Sequence, residues 1–121
     1  MPEVTTIAEA YVGIWNEPDP ERRRTTMREL WTPEAVHSAG PLVARGYAEL
    51  EARISRSHQK NIMVGGYRFR PTSNHDTLRN AVKFGWEMTP AGSDVVESAG
   101  VVFAILDDDG RILYDYLFVE S

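Results

Sequence analysis

The run Val101-Val102-Phe103-Ala104-Ile105-Leu106-Asp107-Asp108-Asp109-Gly110-Arg111-Ile112-Leu113-Tyr114-Asp115-Tyr116-Leu117-Phe118-Val119 carries the strongest structural signal in the chain. Apolar segments flank an Asp-Asp-Asp-Gly turn, so it reads as two antiparallel strands, Asp94 to Leu106 and Arg111 to Val119, joined at Asp107 to Gly110. In the second strand both side-chain rows are largely apolar. Ile112, Tyr114, Tyr116 and Phe118 alternate with Leu113, Leu117 and Val119. A strand with one wet face would carry polar residues at every other position, so both faces of this one need cover. Helices can cover only one. The aromatic row is therefore expected to meet a second copy, giving a homodimer through the sheet face.

Working back from there, Pro90-Ala91-Gly92 ends a long strand read from Asp76 to Thr89, with Leu78, Asn80, Val82, Phe84, Trp86 and Met88 on one side. Ile62 to Arg70 also alternates, Tyr67 and Phe69 opposing Arg68 and Arg70. Thr72-Ser73-Asn74 has turn composition. Earlier still the period is helical. Tyr47 to about Lys60 places Tyr47, Leu50, Ile54 and His58 on one stripe. Ala35 to Ala39 reads as a short strand before a turn at Gly40-Pro41, and Thr32-Pro33 breaks the helix before it. That second helix starts at Asp19-Pro20, an N-cap followed by proline at the first helical position, and runs to about Trp31. In the first helix, Thr6-Ile7-Ala8-Glu9 fits a capping box, and Ile7, Tyr11, Ile14 and Trp15 form its apolar stripe. Three N-terminal helices followed by an antiparallel meander predict a single α+β domain over 1–121, the helices packed on one face of a curved, mostly antiparallel sheet.

Composition narrows the function classes. With 121 residues, 42% hydrophobic and 26% charged, the chain is an ordinary globular domain. Thirteen basic against eighteen acidic residues give a net charge of -5, the wrong sign for holding many phosphates, so no nucleic-acid partner is expected. The absence of cysteine excludes thiolate nucleophiles and Cys-ligated metals. No signal-peptide pattern opens the chain and no apolar run approaches the ~20 residues of a membrane helix, so the expected location is cytoplasmic, with no membrane partner. His37, His58 and His75 lack metal-ligand spacing, and no phosphate-binding or dinucleotide fingerprint occurs, so neither metal nor cofactor is expected.

The order of elements, with Tyr11-Val12-Gly13-Ile14-Trp15-Asn16-Glu17-Pro18-Asp19 leading into Leu30-Trp31-Thr32-Pro33-Glu34-Ala35-Val36 and the closing Asp107-Asp108-Asp109-Gly110-Arg111-Ile112 turn, resembles the nuclear transport factor 2-like superfamily. More narrowly it is similar to SnoaL-like proteins, the group of polyketide cyclases and steroid delta-isomerases. The resemblance spans nearly the whole chain. It implies a cystatin-like, cone-shaped roll around a pocket, and says little about activity, because this superfamily uses one pocket for isomerases, dehydratases, cyclases and non-catalytic binding domains. Tyr11 matches the helix-borne tyrosine that supplies an oxyanion donor in the steroid isomerases. Their general base falls at Ala39 or Gly40, and a second acid found in many relatives falls at Val102. Both are lost here, so steroid-isomerase chemistry in its familiar form is not expected.

His37 lies on the same side of its strand as Ala39, so it is the replacement candidate for a base; alternatively it is a core histidine bonded to a backbone carbonyl. Asp115 shares the inward row with Leu113, Leu117 and Val119. Unpaired there it would resist ionisation, so it either pairs with His37 or an arginine, acts as a protonated acid, or is structural. Asn80 either orients a ligand or satisfies a backbone group. Trp15, Trp31, Ile54, Phe84, Trp86 and Val102 form core and pocket wall at once. The expected ligand is a small hydrophobic, partly oxygenated molecule. The expected activity is a cofactor-independent isomerase, dehydratase or cyclase reaction by proton transfer, with catalytic residues His37, Asp115 and Tyr11; the alternative is a non-catalytic ligand-binding or dimerisation module of the same fold.

Overall fold

The computed structural model describes residues 3–121. Helix α1 (Val4–Asn16) and helix α2 (Pro20–Leu30) precede strands β1 (Trp31–Ala39) and β2 (Leu42–Arg45), helix α3 (Gly46–Ser57) and a π-helical extension α4 (His58–Val64). Strands β3 (Tyr67–Leu78), β4 (Ala81–Pro90), β5 (Ser98–Leu106) and β6 (Ile112–Val119) complete the chain. The six strands form one sheet in the order β2-β1-β6-β5-β4-β3. Every neighbouring pair is antiparallel except β1 and β6, which run parallel. The expected helices-on-sheet architecture holds, and the core lies between the concave sheet face and the helices, around Tyr11, Trp31, Phe84 and Ile112.

Local chemistry explains most boundaries. Asp19 accepts the Glu21 N–H at 2.9 Å and Pro20 occupies the first helical position, as the sequence predicts. In the closing turn, Asp107 Oδ1 accepts the N–H groups of Asp109 and Arg111, and Gly110 takes a φ of 84° that a residue with a Cβ would resist. Asn16 ties the end of α1 to β3 as a strand would. Its Nδ2 donates to the Phe69 carbonyl at 2.7 Å and its Oδ1 accepts the Phe69 N–H at 2.8 Å.

Several boundaries differ from the sequence reading. Helix α1 begins at Val4 with Glu3 at its N-cap and no side-chain cap, so the Thr6–Glu9 capping box does not form. Trp31 belongs to β1, not to α2. Strand β2, only four residues long, pairs with β1 from Ala39↔Leu42 to Val36↔Arg45 and has no counterpart among the predicted elements. The apolar Ile62-Met63-Val64 segment, read as the start of a strand, continues α3 as a π-helix. The β3–β4 connection is also displaced. The chain turns not at Thr72-Ser73-Asn74, which lies within β3 at a break in register, but at Arg79-Asn80, where Arg79 adopts a φ of 56°. Asn80 is therefore a turn residue, not part of an inward strand face, and its carbonyl accepts the Leu106 N–H at 2.8 Å.

Close approach of backbones at Gly100 shapes the wall between β5 and its neighbours. A Cβ there would lie 1.8 Å from the Phe118 carbonyl oxygen and 2.8 Å from Trp86 Cζ2. Glycine is thus what lets β6 and the Trp86 indole close over β5.

Candidate functional site

Parallel pairing of β1 with β6 sets His37 opposite Asp115 as direct register partners, and residues so paired project from the same face. Both side chains are 0% exposed. His37 Nδ1 lies 2.7 Å from Asp115 Oδ2, and Tyr11 on α1 donates its hydroxyl to the same oxygen at 2.7 Å. Trp31, at the start of β1, donates its indole N–H to Asp115 Oδ1 at 2.8 Å. Three side chains from two elements, α1 and β1, thus converge on one carboxylate of β6.

Donor identity constrains the histidine. Trp31 Nε1 can only donate, and Tyr11 is placed to donate, so an ionised Asp115 accepts from all three neighbours when His37 carries its proton on Nδ1. A neutral ring in that tautomer presents an unprotonated Nε2, and this buried nitrogen has no hydrogen-bond partner in the protein. The tautomer follows from the network, as it does for the aspartate-oriented histidine of hydrolase triads. Tyr11 is held neutral. Burial, then the Asp115 charge and the hydrogen bond to it, push its pKa well above 10. It is a donor, not a tyrosinate base.

Beside this cluster lies a cavity of about 290 Å³. Tyr11, Val12 and Trp15 of α1, Phe69 of β3, Trp86 and Met88 of β4, and Leu117 and Val119 of β6 form its apolar wall. The polar side comes from α3 and its π-helical extension, with Arg53, Ser57, Lys60 and Asn61, and from Ser98 at the start of β5. Asn61 Nδ2 donates to Ser57 Oγ at 3.1 Å. The Arg53 guanidinium sits over the Trp15 ring, 5.1 Å from its centroid. Burial lowers the Arg53 pKa, the neighbouring Arg56 adds to this, and Tyr11 and Asp115 oppose it. A second depression of about 520 Å³, lined by Ser38–Gly40 and Tyr116–Val119, shares Arg53, Leu117 and Val119 with the first. Arg53 therefore stands where the two join.

Of the residues singled out in the sequence, Tyr11, Trp15 and Trp86 line the cavity. His37 and Asp115 lie behind the wall: the His37 ring packs against Trp15 at 5.6 Å between centroids, and Tyr11 is the member of the cluster that reaches the cavity. Trp31, Phe84, Val102 and Ile54 are buried in the core and do not line it; Phe84 meets the Tyr11 ring edge-on at 5.2 Å. Asn80, exposed in its turn, lies outside the lining altogether. His58 is buried at the start of the π-helix and His75 is exposed on β3. Among the described residues, no group of three or more His, Asp or Glu side chains is placed to hold a metal ion, and no helix is long and apolar enough to cross a membrane. The sequence reading missed Arg53, Ser57 and Asn61. Their spacing of four is the available signal, a polar stripe beside the Leu50–Ile54 stripe of the same helix.

Neither a scan against protein-family models nor a search of curated proteins finds a match. Solved structures do match. A candidate isomerase of the SnoaL-like family from Agrobacterium tumefaciens is 30% identical, covers 100% of both chains and superposes with a TM-score of 0.86. A candidate polyketide cyclase from Sinorhizobium meliloti, 12% identical, covers 99% of this chain and 95% of its own with a TM-score of 0.68. A de novo designed protein with a curved β-sheet, 15% identical, covers 99% and 88% with a TM-score of 0.70. The last two speak to the fold alone.

Proposed function

Because this chain belongs to the SnoaL-like family, we propose that it binds a small, apolar, carbonyl-bearing molecule in the cavity beside Tyr11 and catalyses a cofactor-independent proton transfer on it. One observation carries the reading: a buried Tyr11–Asp115–His37 cluster, built from side chains of α1, β1 and β6, abuts a roughly 290 Å³ apolar cavity through the tyrosine. In the proposed step, His37 Nε2 takes a proton from the carbon next to the carbonyl, and Tyr11 turns its one hydroxyl proton away from Asp115 Oδ2 to donate to the oxygen as negative charge develops there, leaving Asp115 bonded to Trp31 and His37. Asp115 fixes the imidazole with its proton on Nδ1 and balances the imidazolium that forms. Returning the proton to a different carbon completes an isomerisation; loss of a neighbouring hydroxyl completes a dehydration.

Trp15 decides between chemistry and mere binding. Its ring packs against His37, 5.6 Å between centroids, and lines the cavity, which His37 does not, so catalysis requires Trp15 to shift enough for the substrate C–H to reach Nε2. With Trp15 fixed, the same cavity binds without turnover, which is the alternative reading. Thermal-shift screening of apolar ketones and hydroxyketones identifies a ligand, because saturation at 100 times Kd stabilises the fold by about 2.7 kcal/mol. Turnover of that ligand is then expected to fall at least about 100-fold in His37→Ala and in Asp115→Asn. Unchanged turnover in both variants overturns the mechanism, and binding without turnover in the unaltered protein selects the alternative.

The convex sheet face supports a second proposal, a homodimer. Phe103, Tyr114, Tyr116 and Phe118 stand 39%, 47%, 41% and 53% exposed on adjacent strands β5 and β6. A second copy of the same face buries all four aromatics at once through a two-fold contact.

A further inference from the structure

Resting on the reading of the cavity as a ligand site, the polar groups in its wall point to the charge the ligand carries. Three of them are buried nitrogens with no partner in the protein: Trp15 Nε1, Trp86 Nε1 and Arg53 Nε. All three are N–H donors and none can accept. All three nitrogens are closed to solvent, so they reward a ligand's oxygens only where the side chains move to present them; the guanidinium of Arg53, a cavity-lining residue with no hydrogen bond among the described residues, is the donor available to a ligand. The charged residues of the lining agree. Arg53 and Lys60 are both cationic, and the lining contains no aspartate or glutamate, although the whole chain carries a net charge of -5. Arg53 makes no ion pair among the described residues, unlike Arg24 and Arg70, which are paired with carboxylates. The nearest internal carboxylate, Asp115, is already occupied by Tyr11, Trp31 and His37. The Arg53 guanidinium lies over the Trp15 ring, 5.1 Å from the centroid, and its planar fork of N–H donors matches a planar two-oxygen partner.

We propose that the physiological ligand is an apolar carboxylate, its carboxyl group held at the cavity mouth by Arg53 with Lys60 at the rim, and its apolar body against Phe69, Trp86 and Leu117. The carboxylate end selects and orients the molecule, leaving its far end to approach Tyr11.

A matched pair of probes tests this: 2-naphthoate and its neutral amide, 2-naphthamide, titrated by tryptophan fluorescence and calorimetry. The acid is expected to bind at least about tenfold more tightly than the amide, the scale of one charge-assisted hydrogen bond. That preference should disappear in Arg53→Gln, persist in part in Arg53→Lys, and weaken as salt is raised. Amide affinity should change much less than acid affinity across the three proteins, and an unshifted cooperative melt in each variant shows that it folds around an intact cavity. Equal binding of acid and amide, or a preference retained in Arg53→Gln, refutes the carboxylate assignment while leaving the cavity as an apolar ligand site. Failure of both compounds to bind the unaltered protein refutes the ligand-site reading itself, and this proposal with it.

Discussion

Replacing Asp115 tests the central network most directly, because the carboxylate is fully buried and its oxygens are all accounted for. Oδ1 takes the Trp31 indole N–H, and Oδ2 takes the Tyr11 hydroxyl and His37 Nδ1. In Asp115→Ala, three buried donors lose their carboxylate acceptor, and only Tyr11 has another candidate, His37 Nδ1 at 3.5 Å. Removing one member of a buried charged network costs about 3–5 kcal/mol, a large part of the ~5–15 kcal/mol that a domain has in total. At roughly 3–5 °C per kcal/mol for a chain of this length, the melting temperature should fall by roughly 9–25 °C. Asp115→Asn is subtler. With the amide oxygen toward Tyr11 and His37, its NH₂ faces the Trp31 N–H, donor against donor. Turned over, the oxygen serves Trp31, but the NH₂ then points at His37 Nδ1, which can accept only if the ring proton moves to Nε2. The asparagine variant should therefore lose only about 1–3 kcal/mol and switch the His37 tautomer. Long-range proton–nitrogen NMR correlations read the tautomer directly, and urea titration reads the stability. A native His37 protonated on Nε2 alone would refute the reasoning, as would an alanine variant within about 0.5 kcal/mol of the parent.

Other expectations follow from the same geometry. Tyr11→Phe removes one hydrogen bond to a buried carboxylate and should cost about 1.5–3 kcal/mol in urea unfolding. The raised Tyr11 pKa also predicts an alkaline loss of stability: the unfolded tyrosine ionises near pH 10 while the folded one keeps its proton, so stability is complete below pH 10 and falls as the pH climbs toward the folded value. Urea titrations at pH 9 and 11 should show this fall, reduced in Tyr11→Phe. Gly100→Ala places a methyl against the Phe118 carbonyl and Trp86 and should destabilise by at least about 1–3 kcal/mol in urea, with perturbed tryptophan fluorescence. Tyr116→Lys combined with Phe118→Lys should give a monomer by analytical ultracentrifugation while leaving the melting of the isolated subunit cooperative; a parent protein that sediments as a monomer overturns the dimer.

What the sequence made legible follows from periodicity. Alternation along β6 assigned Asp115 to the inward row, and alternation along β1 put His37 on the side of Ala39; the parallel register that joins the two is a tertiary property that neither strand encodes alone. Tyr11 and Trp15 were readable from the helical stripe of α1. Asn80 was misplaced because Arg79-Asn80 lacks glycine, so nothing local marks the turn, while Thr72-Ser73-Asn74 has turn composition but sits in a strand irregularity. The π-helix His58–Val64 has no sequence signature; its Ile62-Met63-Val64 run is as compatible with a strand. Arg53 escaped notice because a charged residue on an amphipathic helix reads as solvent-facing, whereas here the helix borders a hollow and its flank turns inward.

The place of β6 between β1 and β5 has a consequence for biogenesis. Without β6 the pairings of the sheet fall into two pieces, β2-β1 and β5-β4-β3, each with an unpaired inner edge. Joining them requires contacts between residues as distant as Trp31 and Ile112, so closure comes late and slowly. Any state in which β6 has yet to dock leaves two adhesive β-edges bare, and its docking both heals that seam and delivers the carboxylate around which the tyrosine, tryptophan and histidine assemble.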